Sequence, residues 1–474
     1  MDPFVVVGGD AAGLSAASKC KREDPDREVI VFEKGRWVSY AHCGTPYFVE
    51  GKVDALEDLL SLTPDEVDER GIDLRREREV VAVSPTEQTV TVRGPDGESV
   101  QEYGDLLIAT GGRAIADPIE GHDLAGVHTL HGLDQAAAIR AHLLDPGADH
   151  LAAVGGEAFV DRERVERYGA MDPPETVAIV GGGYVGVEMA EAFGAHDTEV
   201  HLFQRGDRLL PPFGEAVGEA VADTLRDHGV TLHLGTEVER LTGDDRVEGL
   251  SCAGGTTLDV DLALIGIGIR PNTDLLADTG VELGASGAVV TDDYGATSVE
   301  GVYAAGDCAE MRHAVTGERA WVPLGLTANR AGRAIGQTVV GDAEPVGTVA
   351  GTASVKAFER ESGRSGIVDH ERAREAGFDP ASETITAGSR SGYYPGAADT
   401  TVTLTADRES GRLLGGAITG TDRAAVRIDT VATALEAGMT VAEVERLDLQ
   451  YAPPFSPVWD PVLVAAKVLR GSIE

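Results

Sequence analysis

Four consecutive apolar residues near the start of the chain, Phe4-Val5-Val6-Val7, show no polar alternation, the pattern of a parallel strand buried on both faces. A glycine-rich turn, Gly8-Gly9-Asp10-Ala11-Ala12-Gly13, leads from it into a helical stretch over 14–22. A second strand over 28–32 ends at Glu33, 25 residues after Gly8. The same order returns later. An apolar run over 177–180 enters Gly181-Gly182-Gly183-Tyr184-Val185-Gly186, a helix continues to about residue 193, and a strand over 199–203 ends at Gln204-Arg205. Between the two units another apolar strand, 106–108, ends in Ala109-Thr110-Gly111-Gly112. Further on, residues 297–307 read as a short strand that delivers Asp307 to a sharp turn. In the tail, 402–404 and 413–418 read as strands and 424–437 as an amphipathic helix.

In a strand–turn–helix unit of this kind, glycines let the backbone approach a pyrophosphate, and the helix N-terminus supplies N–H donors and positive dipole. Glu33 can accept hydrogen bonds from a ribose diol. Asp10 takes the middle glycine position of GxGxxG in the first unit, whereas the second is complete at 181, 183 and 186. The second unit has no acid after its strand. Gln204 there removes the repulsion of a 2′-phosphate and Arg205 can pair with one, so NADPH is expected to serve at least as well as NADH. Asp307 could hold a polyol chain.

At 474 residues the chain exceeds one compact core, and about three domains are expected at roughly 100–200 residues each. Acidic residues outnumber basic ones 80 to 40, for a net charge of −40, which excludes a broad nucleic-acid surface. Only six of the basic residues are lysines. Such a self-repelling surface is tolerable where salt shortens the Debye length to about 3 Å at 1 M, so a hypersaline cytosol is expected. No apolar run approaches about 18 residues, so no membrane partner is expected, and the first strand begins too early for a signal peptide to precede it. A cytoplasmic location is expected. The four cysteines, Cys20, Cys43, Cys252 and Cys308, form no C-x2-C pair, which argues against a zinc site or a disulfide scaffold.

Taken in order, these motifs resemble the pyridine nucleotide–disulfide oxidoreductases, flavoproteins with two dinucleotide-binding domains. The resemblance spans almost the whole chain. It implies an α/β fold with two Rossmann-like domains, for FAD and NAD(P), and a C-terminal α+β dimerisation domain. The implied FAD domain is split, 1–115 and 286–346, around a nicotinamide domain at 116–285, with the dimerisation domain at 347–474. FAD is implied on Gly8, Gly13, Glu33, Lys34, Thr110, Gly111 and Asp307. NADPH or NADH is implied on Gly181, Gly183, Tyr184, Gly186, Glu188, Gln204, Arg205 and Gly268. Tyr184, with glycines beside it and little to pack against, reads as a gate to the nicotinamide pocket. Residues 145–175 are longer than the expected link. Their Gly, Pro and charge content reads as a surface excursion with a helix near 162–168, and no function attaches to it.

The segment Ser39-Tyr40-Ala41-His42-Cys43-Gly44-Thr45-Pro46-Tyr47 holds one cysteine, and Phe48 stands where a dithiol C-x4-C would have its second. It resembles the single-cysteine branch of the family, which contains coenzyme A disulfide reductases, NADH oxidases and NADH peroxidases. A lone thiolate can form a mixed disulfide with CoA or cycle as a sulfenic acid. The first glycine turn lacks the histidine of the oxidases and peroxidases. In the tail, Ser391-Gly392-Tyr393-Tyr394-Pro395 and Tyr451-Ala452-Pro453-Pro454 resemble the two tyrosine motifs of the CoA disulfide reductases. Cys43, Tyr393 and Tyr451 are therefore the implied catalytic residues, with the site shared between the subunits of a homodimer. Ser15, Lys19 and Arg22 fall on one helix face and match CoA-contacting positions, as do Ser39 and His42. A lysine expected near position 71 is absent, with Arg70 beside Gly71. The leading reading is an FAD-dependent NAD(P)H:CoA-disulfide reductase. The alternatives are an NADH oxidase or peroxidase, a redox-sensing flavoprotein, and a polysulfide reductase.

Overall fold

Two five-stranded parallel sheets repeat one design. The computed structural model describes residues 2–156 and 159–474. In the first sheet, Phe4–Val7 lies centrally between Val29–Glu33 and Asp105–Ile108, with Asp73–Arg76 and Val302–Ala304 at the edges. In the second, Thr176–Val180 lies between Glu199–Gln204 and Leu262–Ile265, flanked by Thr231–Leu234 and Val127–His128. The central strands carry near-continuous apolar side chains because both faces are covered, by helices on one side and on the other by a three-stranded antiparallel sheet, 79–102 in the first unit and 238–259 in the second. Each central strand then enters its glycine turn and a helix, Ala11–Glu23 in the first unit and Tyr184–Gly194 in the second. Gly8 (φ +114°) and Gly181 (φ +116°) open the two turns in a backbone region that favours glycine.

The first sheet is completed late in the chain, when Val302–Ala304 pairs with Asp105–Ile108. Helix Gly325–Thr338 then packs on helix Ala11–Glu23. Gly332 and Gly336 permit this contact, since a side-chain carbon on either would strike the backbone of Ala12 or Ala16. The tail forms an antiparallel five-stranded sheet, in the order Ala353–Ala357, Arg360–Gly366, Leu413–Gly420, Asp399–Asp407, Pro380–Gly388. Helices Ile428–Glu436 and Pro461–Ile473 cover it around a core that includes Val402, Leu404, Ile418 and Val462. The tail strands are longer than their sequence suggested, because the flanking threonines pair across strands, as in Thr384–Thr403 and Thr386–Thr401.

Residues 145–175 are not a surface excursion. They hold helices His150–Val154 and Arg162–Gly169, and Val154, Val160, Val165 and Tyr168 are buried. These apolar positions, sparse among charged ones, dock the segment on helix Leu133–His142. No helix among the described residues is long and apolar enough to cross a membrane.

Candidate active site

Cys43 lies in a one-turn 3-10 helix, His42–Gly44, that leads into helix Thr45–Glu50, and it is exposed. Cys20, Cys252 and Cys308 are buried. Although Cys43 reaches the surface, the surrounding protein partly desolvates its sulfur, and this, reinforced by the charges of Glu188 and Asp307, raises its thiol pKa. The preceding His42 turns away from a simple solvated position. Its Nε2 pairs with the Asp10 carboxylate, and its Nδ1 lies 3.1 Å from the His131 carbonyl oxygen. Both partners are acceptors, so the ring satisfies them together only as an imidazolium. Burial works against that charge, but Asp10 outweighs it and the His42 pKa is raised. Asp10 also accepts from the Tyr40 amide at 3.1 Å, and the Tyr40 ring stacks on His42 at 4.2 Å. The residue that breaks the first GxGxxG is thus an anchor for the cysteine segment. The sequence signal was the Asp10 exception itself, whose partner could not be read from it.

The glycines named from the sequence divide by what faces them. A side-chain carbon at Gly8 or Gly13 would strike backbone of Ala109 or of the same turn, and one at Gly181 or Gly186 would strike backbone of Gly266 or of the same turn. Gly111, Gly183 and Gly268 face open space. Glu33 accepts from the Gly9 amide at 2.9 Å and the Gly35 amide at 2.7 Å, while burial pushes its carboxyl pKa up. Thr110 donates to the Asn272 carbonyl at 2.6 Å, which fixes the turn before the open face of Gly111. Among the described residues nothing donates to the Asp307 carboxylate, whose pKa burial raises. Open glycine faces, a strand-end acid and a half-buried carboxylate with no donor among the described residues suit a dinucleotide with ribose and polyol hydroxyls.

In the second unit Gln204 accepts from the Gly182 amide at 3.0 Å. Arg205 is largely exposed, 3.7 Å from Glu237. Tyr184 does find packing: its ring meets Phe213 edge-on at 5.4 Å and its hydroxyl accepts from Arg364 Nε at 3.1 Å. The helix after the turn supplies Glu188, which accepts from the Tyr47 hydroxyl at 3.2 Å and is pushed up to about 7 by burial. Glu191, one turn on, ties this helix to the tail through Lys356 at 2.5 Å and to Lys52 at 3.0 Å.

A cleft of about 540 Å³ opens beside Tyr40. It brings together Ser15, Lys19, Arg22 and Ser39, four of the five positions named for a CoA substrate. His42 sits behind it, through Tyr40 and Asp10. Arg70, Arg330 and Arg333 also line the cleft. The last two come from helix Gly325–Thr338, more than 300 residues from Ser15, so no local pattern could reveal them. Lys19 is mostly buried and paired with Glu23, and Ser15 donates to Asn329 at 2.7 Å. Tyr393 and Tyr451 are not in this cleft. They stand on the surface of the tail, 77% and 49% exposed.

Residues 2–321 match the pyridine nucleotide-disulphide oxidoreductase family, and residues 352–461 match that family's dimerisation domain. The chain belongs to this family. It is a flavoprotein oxidoreductase by that membership, and its two glycine units accord with the FAD and NAD(P)H that such enzymes use. It is 39% identical over 98% of both chains to an NAD(P)H coenzyme A polysulfide/persulfide reductase of Pyrococcus horikoshii. A coenzyme A disulfide reductase of Staphylococcus haemolyticus is 27% identical over 96% of both chains. The solved structure of an NAD-dependent persulfide reductase from A. fulgidus superposes with a TM-score of 0.90 at 32% identity, covering 99% of this chain and 83% of the other.

Proposed function

We propose that this oxidoreductase uses NAD(P)H to reduce sulfur–sulfur bonds of coenzyme A, with Cys43 as the single nucleophile. The observation that carries the reading is the cationic cleft. In a chain of net charge −40, Lys19, Arg22, Arg70, Arg330 and Arg333 converge beside the cysteine segment. Such a concentration of cations against the overall field suits the 3′-phosphate and pyrophosphate of CoA.

The thiolate of Cys43 attacks one sulfur of CoA disulfide, forming Cys43–S–S–CoA and releasing the other CoA as a thiolate. The imidazolium of His42, held by Asp10, contributes positive charge to the segment that carries Cys43 and orients it. Glu33, Gly111 and Asp307 would hold FAD, which when bound would supply from NAD(P)H the electron pair that returns the mixed disulfide to two thiols. Tyr451, with Tyr393 near it in role, donates the proton to the departing CoA thiolate of the neighbouring subunit. The exposure of both tyrosines supports this placement, since it leaves them free to meet a neighbouring subunit.

CoA persulfide is the second substrate reading, favoured by the 39% identity to the polysulfide/persulfide reductase. There the Cys43 thiolate takes the outer sulfur of CoA–S–SH, releasing the CoA thiolate and leaving Cys43–S–SH for reduction to thiol and hydrogen sulfide.

The mass of Cys43 after turnover without NAD(P)H tests the chemistry. A CoA adduct removable by reductant is expected with CoA disulfide, and an added sulfur with CoA persulfide. A one-oxygen adduct as the sole product would instead establish the oxidase or peroxidase chemistry. Comparing kcat/KM for the two CoA substrates ranks them. Arg330→Ala with Arg333→Ala should raise KM for the preferred one at least tenfold with little change in kcat.

A further inference from the structure

We propose that the 145–175 segment is a clamp that retains FAD by fixing the loop after Glu33. The inference rests on the reading of Glu33 as the ribose-binding acid. Residues Lys34 to Trp37 follow it directly, and the first three of them line a second cleft, of about 500 Å³. Lys34, Gly35 and Arg36 line it together with Asp134 and Asp161. Asp161 belongs to the additional segment.

The loop is gripped at several atoms. The Trp37 indole is 7% exposed and donates through Nε1 to Asp134 Oδ1 at 3.0 Å. That same oxygen accepts from the Asp161 amide at 3.1 Å, so one carboxylate oxygen joins loop and segment. Phe159 meets the indole edge-on, with ring centroids 5.6 Å apart. The Arg76 guanidinium lies over the Phe159 ring at 4.7 Å and donates to the Arg36 carbonyl at 2.8 Å. Arg36 donates in turn to the Val160 carbonyl at 3.3 Å. Below, the Gly156 amide donates to Glu57 Oε1 at 2.5 Å, and only a glycine there leaves room for the Trp37 ring.

A loop held this way has little freedom to swing outward, and its opening is the motion that dissociation of a bound dinucleotide requires. The segment therefore acts on the rate of FAD loss more than on the chemistry at Cys43. Phe159 does not line the cleft, so its effect passes through Trp37 and Arg76. It is a positioning residue.

The test measures FAD release from the holoenzyme by the rise in flavin fluorescence on dilution, together with hydrogen exchange of the amides of residues 34–37. Phe159→Ala should release FAD about tenfold faster, the scale of one lost aromatic edge contact and one cation–π contact, and should speed exchange in that loop. Glu163→Ala, on the exposed side of the segment's helix, should leave both unchanged. Glu33→Ala should also lose FAD faster. If Phe159→Ala alters neither release nor exchange while Glu33→Ala does, the clamp is wrong and the FAD site stands. If Glu33→Ala also retains FAD normally, both assignments fall.

Discussion

Gln204 accepts a hydrogen bond from the Gly182 amide at 3.0 Å, the counterpart of the 2.9 Å bond from the Gly9 amide to Glu33. The second glycine turn thus keeps its brace without keeping a negative charge. NADPH is expected to match or exceed NADH in kcat/KM, because Arg205 has no anionic neighbour in the brace to oppose a 2′-phosphate. Its present partner is the exposed Glu237 at 3.7 Å, a weak pair that a phosphate can displace. Arg205→Ala should lower kcat/KM for NADPH about tenfold and leave NADH nearly unchanged. A strong NADH preference in the native protein would contradict the assignment.

Cys43→Ser should keep FAD and fold yet lose the cleavage of CoA disulfide, since serine cannot form the mixed disulfide. Flavin absorbance of the purified variant checks the first point and steady-state assay the second. Near-native activity would sink the mechanism.

Glu188 ionises near 7 and its charge opposes that of the Cys43 thiolate. Glu188→Gln should shift the midpoint of Cys43 alkylation by iodoacetamide to lower pH. The same substitution bears on stability. The folded-state pKa lies above the unfolded value of about 4.3, so this group's contribution is fully present below that pH. It declines as pH rises through about 7. Thermal melts should therefore show Glu188→Gln gaining on the native protein between pH 5 and pH 8.

Salt should be required for stability. With 80 acidic residues opposed by 40 basic ones, dilution of salt extends the reach of repulsion across the surface. Melting temperature is expected to fall steeply on dialysis into dilute buffer, and a flat response would make the acidic composition incidental.

A mixed dimer tests the sharing of the site. Homodimers of Cys43→Ser and of Tyr451→Phe should both be impaired, while their heterodimer regains one intact site. No recovery above either parent would remove Tyr451 from the partner's chemistry.

Much of this arrangement was legible because it is local. The apolar strands, the glycine turns and the strand-end residues Glu33 and Gln204 are each set by a few neighbours in sequence. Cys43 stood out by the absence of a second cysteine at Phe48. What remained hidden depends on distant partners. Arg330 and Arg333 carry no local signature, and they reach Lys19 and Arg22 only because Gly332 and Gly336 let two helices touch. Asp10 read as a gap in a pattern until His42 was seen against it. The 145–175 segment looked hydrophilic by composition, and the buried side chains of Val154, Val160, Val165 and Tyr168 are spaced too irregularly to announce a docking face.

The contact between helices Ala11–Glu23 and Gly325–Thr338 also dictates when the cleft can come into being. A ribosome delivers Ser15, Lys19 and Arg22 early and their arginine counterparts only after some 300 further residues. Through most of synthesis the N-terminal helix lacks its partner, and the small-residue surface of Ala12 and Ala16 has nothing to lie against. Closing so long a loop is slow, and it comes after the intervening nucleotide-binding unit has been made. The cleft proposed to hold the substrate's phosphates is therefore completed late in biogenesis, and a chain truncated before residue 325 would keep its cysteine but lack two of the five cations around its cleft.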